Sequence, residues 1–382
     1  MATAVAEVLR GTARAATYNV VLQVSFRLLT FVVNALVLRF VSSELLGLVN
    51  VRLTLLYSTI LFLSREAFRK TCLSRPYGTK TRNWRQLINL TWCCVPLGIF
   101  SALILSLLWT FCLEQPSGTF QGQYKKAVFV FAFSAVAELA VEPLWLIGQV
   151  FLFIRARVII EALSLAAKCI STITLIILFP ESSLTAFCIA QIIHSVIYIS
   201  LYYGYFTLFA STNNQAAANK KDHNEATFQF SSFKEILPEF NSQTQAFVDP
   251  IYGKLVYSFL KQSLLKQFLT EGERYIMTIF NVISFGQQGV YDIINNLGSL
   301  VARFVFLPIE DSYYVLFCHL LVRGKREQDQ EMFRIAGRTL MGVLKFVSLT
   351  GYTVLVFGYS YSYLLLDIYG GTLLSSNEGI YT

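Results

Sequence analysis

The chain has 382 residues, 55% of them hydrophobic and 14% charged, with a mean hydropathy of +0.54. A water-soluble domain carries about 25% charged residues, and a disordered chain combines high charge with low hydrophobicity, so both classes are excluded. The net charge of +8 would raise the question of nucleic acid in a soluble protein. In so apolar a chain it reads as topology instead, because Lys and Arg collect in cytoplasmic loops. What remains is an all-α polytopic membrane protein with no nucleic-acid partner.

Crossing ~30 Å of hydrocarbon takes about 20 apolar residues as a helix. Nine runs meet that length: Tyr18–Phe40, Leu45–Leu63, Leu87–Leu113, Ala127–Val150, Val158–Phe179, Leu184–Phe209, Leu255–Asn281, Val290–Leu320 and Leu340–Tyr359. The first is too long and too polar for a signal peptide, and no cleavage site follows it. Glu142-Pro143 predicts a kink in the fourth. The seventh is the weakest, interrupted by Lys261, Lys266, Glu271, Glu273 and Arg274. Between the sixth and seventh, the polar stretch Ala210–Pro250 reads as a cytoplasmic linker. The predicted organisation is a six-helix N-terminal lobe (1–209), a linker (210–250) and a partial C-terminal lobe of about three helices (251–382).

With a cytoplasmic N-terminus, one face receives nineteen basic residues. Among them are Arg65, Arg69, Lys70, Arg155, Arg157, Lys220 and Arg323. The opposite face receives three, Arg39, Lys125 and Lys126. That bias fixes the expected orientation. Six of the seven Cys residues fall in apolar runs and Cys72 in a basic loop, with no disulfide or zinc spacing. The single sequon, Asn89-Leu90-Thr91, sits at the start of a span, where it is expected to stay unused. Tyr198, Tyr202, Tyr203 and Tyr205 read as an interfacial belt. The three His residues are scattered, and no phosphate-binding GxxxxGK loop or nucleophile elbow occurs. No metal and no cofactor is expected.

The first run carries Asn19, Gln23, Arg27, Thr30 and Asn34 at helical spacing, so all five share one face. The seventh carries Gln267, Glu271, Arg274, Thr278 and Asn281 in the same manner. Arg27 and Asn34 recur as Arg274 and Asn281 at a common offset of 247 residues. Downstream, Gly47-Leu48-Val49-Asn50 is echoed by Gly289-Val290-Tyr291-Asp292, and the eighth run aligns Asp292, Asn295/Asn296, Ser299 and Arg303. Two parallel copies of one unit, with polar stripes facing a central cavity, account for this pattern; chance matching of short polar patterns is the alternative.

A charge at the bilayer centre costs at least ~2.5–3.5 kcal/mol, so these stripes are expected to line a hydrated gap rather than lipid. Guanidinium groups match phosphate oxygens bidentately and stay charged at any cellular pH. Arg27, Arg65, Arg274 and Arg303 therefore suit an anionic head group such as a diphosphate. Asn34, Asn50, Asp292 and Asn296 would line the polar path, and Glu310 would hold the arginine network. The competing reading is internal neutralisation through Arg65-Glu66, Glu273-Arg274 and Arg303-Glu310. Arg39 and Arg52 carry less: the first can snorkel from a helix end, the second lies off the stripe.

Several longer strings resemble the Rft family. They include Phe26-Arg27-Leu28, Val49-Asn50-Val51-Arg52-Leu53-Thr54-Leu55-Leu56-Tyr57-Ser58 and Arg65-Glu66-Ala67-Phe68-Arg69. In the second half they include Leu269-Thr270-Glu271-Gly272-Glu273-Arg274-Tyr275, Gln288-Gly289-Val290-Tyr291-Asp292, Pro308-Ile309-Glu310 and Leu366-Asp367-Ile368-Tyr369-Gly370-Gly371. The resemblance implies an endoplasmic reticulum membrane protein similar to the multidrug/oligosaccharidyl-lipid/polysaccharide exporter superfamily, with two six-helix lobes plus further helices. It implies a role in moving the dolichyl-diphosphate oligosaccharide intermediate from the cytoplasmic to the lumenal leaflet for N-glycosylation, directly or as an essential helper. Family members continue through more helices past Gly370-Gly371, so the second lobe is expected to be incomplete. The expected partners are that lipid, the membrane lipids and the N-glycosylation machinery. A non-transporting scaffold of that machinery is the alternative. A glycosyltransferase is disfavoured, because the short first lumenal loop, Val41–Glu44, holds one acid, Glu44. A cation-coupled drug exporter would favour carboxylates over these arginines.

Overall fold

The computed structural model describes residues 40–73, 84–116, 120–150, 153–219, 250–280, 283–300 and 330–371, with a few isolated positions between them. Among the described residues every regular element is helical and no strand occurs.

Helix α1 runs over Ser43–Leu73. Ser42 caps its start by accepting from the Leu45 amide, and Gly47–Leu53 is a π-helical segment. Helices α2 (Trp84–Trp92) and α3 (Cys94–Phe111) follow, broken at Cys93. Helix α4 (Gln121–Leu139) and α5 (Glu142–Val150) meet at a bend of 46°. The bend sits where expected, because Pro143 lacks the amide that would continue the ladder. Helices α6 (Ile154–Leu178), α7 (Ser183–Asn219) and α8 (Pro250–Phe280) come next. Helix α9 (Phe285–Gly298) opens with a reciprocal capping pair. The Ser284 hydroxyl accepts from the Gln287 amide, and the Gln287 side chain accepts from the Ser284 amide. Helix α10 (Gln330–Gly370) ends at Gly371, whose φ of +61° places it in the left-handed region that a glycine cap adopts.

Five described helices are long and apolar enough to span a bilayer, or six when the bent α4–α5 pair counts as one span. The chain is a multi-pass membrane protein. The first expected span and most of the eighth lie outside the described residues. Helix α8 has the length to span, at 31 residues, but its charges keep it out of that apolar set. Cys72, expected in a loop, instead lies fully buried in the last turn of α1, which continues ten residues past the predicted end.

The chain divides into two compact units, Met1–Gln288 and Gly289–Thr382. In the first, α1 is the hub, packing against α3, α4 and α8, while α4 and α6 pack against α7. Lipid tails are as apolar as Leu, so such contacts rest on close approach and polar links rather than on hydrophobic drive. The buried face of α3 shows this: Gly98, Ser101, Ala102 and Ser106 point inward, while Phe100, Leu103, Leu107 and Phe111 are exposed. Ser101 and Ser64 of α1 share a hydrogen bond of 3.0 Å. Helix α8 is built the same way: Gln267 and Thr278 are buried, while Leu265, Phe268, Leu269 and Phe280 are exposed. In the second unit, the apolar side chains of α10, such as Leu349 and Leu355, are exposed, as on a lipid-facing span.

Candidate functional site

The charged end of α1 carries Arg65 and Arg69 one turn apart, on one side of the helix. The α4–α5 bend brings Glu142 against both. Arg69 Nε and Nη2 each donate to a different Glu142 oxygen at 2.7 Å. Arg65 Nη1 stands 3.8 Å from the same carboxylate, an ion pair beyond hydrogen-bond reach. The Arg69 guanidinium also lies over the Trp145 ring, 3.7 Å from its centroid. Arg157 at the start of α6 approaches the same ring at 5.7 Å, bonds to the Gln149 side chain and pairs with Glu161 at 3.7 Å. Three arginines thus meet two carboxylates around one tryptophan.

Neutralisation is therefore partial and, at Arg65, does not follow the expected local pair with Glu66. Arg65 pairs with Glu142, and neighbouring Glu66 pairs with Lys70. The Arg65 side chain remains 28% exposed, against 19% for Arg69 and 4% for Glu142. A crevice beside the cluster is lined by Trp145, Gly148, Phe153, Arg157, Tyr202 and Phe206 and leaves no room for a water molecule.

The tyrosines of α7 do not all form the predicted belt. Tyr198 and Tyr202 are buried, joined with Trp145, Val141, Ile147 and Phe206 in one core cluster, and Tyr203 and Tyr205 pack on it. Tyr203 donates to the Ala140 carbonyl at 2.8 Å, satisfying an acceptor that the bend frees. The bent α5 needs aromatic mass to fill the space beside it, and α7 supplies that mass.

About one turn before Glu142, α4 carries a second buried acid, Glu138. Tyr57 of α1 donates to its Oε2 at 2.5 Å, and Ser195 of α7 donates to its Oε1 at 2.8 Å. Ser134 and Gln191 extend the chain.

Of the other predicted residues, Asn50 is half-buried in the π-helical segment. Arg274 bonds to Glu271 on its own helix at 3.1 Å. Its neighbour Tyr275 reaches α1, where its hydroxyl is 2.7 Å from that of Thr59. In the second unit, Asn296 donates to Asp292 at 2.9 Å. Arg27, Asn34, Arg303 and Glu310 lie outside the described residues. Arg52 is fully buried, bonded to the Glu114 carbonyl at 2.7 Å and set over the Phe285 ring. No cluster of His, Cys, Asp and Glu fit to hold a metal occurs among the described residues.

The profile described as "Rft protein" matches residues 11–382. The chain belongs to the Rft family. It is 48% identical to a Man(5)GlcNAc(2)-PP-dolichol translocation protein RFT1 of Xenopus tropicalis, over 98% of this chain and 67% of the relative. The like-named proteins of Mus musculus and Drosophila melanogaster are 45% and 36% identical, over 98% and 95% of this chain and 67% and 69% of each relative. No solved structure matches.

In this Rft-family chain the residues missed in the sequence are Arg69, Glu138, Glu142 and Trp145. Two acids inside one apolar run were a readable signal, since an intramembrane carboxylate calls for a partner. By sequence alone Glu142 marks only the expected kink at Glu142-Pro143.

Proposed function

We propose that this chain moves a dolichyl-diphosphate-linked oligosaccharide, or is the essential helper in moving it, from the cytoplasmic to the lumenal leaflet of the endoplasmic reticulum, for protein N-glycosylation. The observation that carries this reading is the shared name of three relatives at 36–48% identity, each a Man(5)GlcNAc(2)-PP-dolichol translocation protein. Those names describe translocation, which supports a transport role over catalysis.

The chemistry of α1 supports the reading. Arg69 spends its fork on Glu142, whereas Arg65 keeps its donors outside hydrogen-bond contact with that acid. A diphosphate offers oxygens that a guanidinium binds bidentately. Arg65 is thus the first anion contact; Arg27 and Arg274 are also assigned to the anionic head group, and Asn34 and Asn50 to the polar path. In the second unit Asp292, Asn296 and Arg303 are assigned to the lipid, and Glu310 to holding Arg303. The basic end of α1 faces the cytoplasm in this reading, together with the N-terminus.

The test is reconstitution in vesicles with a fluorescent dolichyl-diphosphate oligosaccharide, following its loss from the outer leaflet. A rate above that of empty vesicles, lowered in Arg65→Ala, is the expected result. A rate equal to empty vesicles, with complementation of glycosylation in cells lacking the endogenous protein, would leave a scaffold of the glycosylation machinery as the function.

A further inference from the structure

Glu138 and Glu142 sit one turn apart, each at most 5% exposed, yet their surroundings differ in kind. Glu142 is held by two guanidinium hydrogen bonds and a second arginine, a set that suits a permanent negative charge. Among the described residues, no arginine or lysine stands within ion-pair distance of Glu138. Its partners are the hydroxyls of Tyr57 and Ser195, and the His194 imidazole with Nε2 at 3.8 Å from Oε1. A buried charge whose direct hydrogen-bond partners are all neutral is costly.

The hydrogen-bond chain leading from Glu138 is made of reversible groups. The Gln191 amide nitrogen donates to Ser134 at 2.8 Å, Ser134 and Ser195 are 2.6 Å apart, and Ser195 donates to Glu138. Every proton in that order points toward a carboxylate. One feature is left over: the side-chain amide oxygen of Gln191, Oε1, is buried without a donor, on a residue that is fully buried. A buried acceptor without a partner calls for an explanation. Reversal of the chain supplies one. If Glu138 carries a proton, it donates to Ser195, Ser195 to Ser134, and Ser134 to the Gln191 oxygen once the amide turns over. Hydroxyls donate or accept equally well, so the links from Glu138 through Ser195 and Ser134 to the Gln191 side chain are made in both states without moving the helices.

We propose that Glu138, with His194 beside it, is an exchangeable proton-binding site within the N-terminal unit, and that Ser195, Ser134 and Gln191 form the hydrogen-bond chain that accommodates both states. The other titratable groups facing the site are Tyr57 and Arg65 from α1, Lys168 from α6 and Tyr198 from α7. Helix α3, also packed on α4, contributes no charged residue. The site binds a proton whether or not the lipid assigned above is the substrate.

The test is infrared difference spectroscopy of the full chain in lipid, stepping between about pH 5 and pH 9, an interval that brackets the change of charge of an imidazole. A carboxylic-acid C=O stretch is expected to gain intensity on the acid side, to vanish in Glu138→Gln and to fall by at least half in Gln191→Leu. A C=O signal unchanged in Glu138→Gln overturns the proposal. Should that variant not fold, modification of the wild-type chain by a hydrophobic carbodiimide decides, because only a protonated carboxyl reacts. An adduct at Glu138 that is lost toward the alkaline side supports the site. An adduct confined to Glu142, or none at Glu138 at either pH, overturns it.

Discussion

Arg69 and Glu142 are joined by two hydrogen bonds of 2.7 Å, between α1 and the first turn of α5. The pair holds the bent end of the α4–α5 element against the hub helix. Breaking a buried pair by removing one partner costs about 3–5 kcal/mol, because the remaining charge is stranded, whereas replacing both with apolar groups is often neutral. Arg69→Met and Glu142→Met are each expected to destabilise the purified chain by roughly that amount in thermal unfolding, and the double variant by less than either single. A double variant that loses the sum of the two would show that the pair does not act as a unit.

Arg65 contributes little to that lock. Its ion pair is long and its side chain partly exposed, and such pairs stabilise by about 0–1 kcal/mol. Arg65→Ala is expected to unfold within about 1 kcal/mol of the parent. Retention of a dolichyl-diphosphate lipid by the purified variant is expected to fall by about tenfold or more, the loss of a charge-assisted hydrogen bond of about 1.5–3 kcal/mol. Arg65→Lys should recover part of this, since an ammonium lacks the planar fork. Unchanged lipid retention in a stable Arg65→Ala chain would remove this residue from the anion contact.

These two arginines also show what can be read without coordinates. The period of α8 is legible in part: spacing places Gln267, Glu271, Arg274 and Thr278 on one face, where Gln267 and Thr278 are buried and Glu271 and Arg274 half-buried. The ends of α1 and the partners of its charges were not. Arg65, Glu66, Arg69 and Lys70 resemble the start of a loop, but Glu142, distant in sequence, pairs with both arginines and Glu66 pairs with Lys70, so the helix continues there. Local reasoning paired Arg65 with Glu66; the fold pairs it across helices. The tyrosines of α7 were misread for the same reason. An amphipathic ring suits an interface, but it equally fills the space beside a bend when its hydroxyl finds a carbonyl, as Tyr203 does at Ala140.

Gly98 of α3 packs directly against the Leu139 side chain of α4. A Cβ there would overlap the Leu139 side chain. Within a helix, Gly→Ala gains about 1 kcal/mol of propensity, while overpacking costs about 1–3 kcal/mol, so the sign of the change shows which effect wins. Gly98→Ala is expected to lower the unfolding temperature, and adding Leu139→Ala to restore part of the loss. Gly122→Ala is the control: open space surrounds that position on α4, and the same substitution there should be neutral or stabilising. Equal behaviour at the two glycines would refute the close-packing account.

Tyr275 carries the polar link between α8 and α1, and the direction of its hydrogen bonds follows from its neighbours. The Thr59 hydroxyl donates to the Leu55 carbonyl at 2.6 Å, so at Thr59 the Tyr275 hydroxyl acts as donor. In turn Tyr275 accepts from the Gln267 amide at 3.2 Å. Its ring stacks on Phe268, so Tyr275→Phe removes the hydroxyl and leaves the packing. Interhelical hydrogen bonds in membranes average about 0.6 kcal/mol, and the buried Gln267 amide also loses its acceptor, a further penalty of about 1–3 kcal/mol. Tyr275→Phe is therefore expected to destabilise more than Thr59→Val, which leaves the tyrosine hydroxyl bonded to Gln267. Combining Tyr275→Phe with Gln267→Leu should recover stability, since no buried amide is then left without a partner. Thermal unfolding of the three variants measures this, and a Gln267→Leu addition that makes matters worse would show that the amide is satisfied elsewhere.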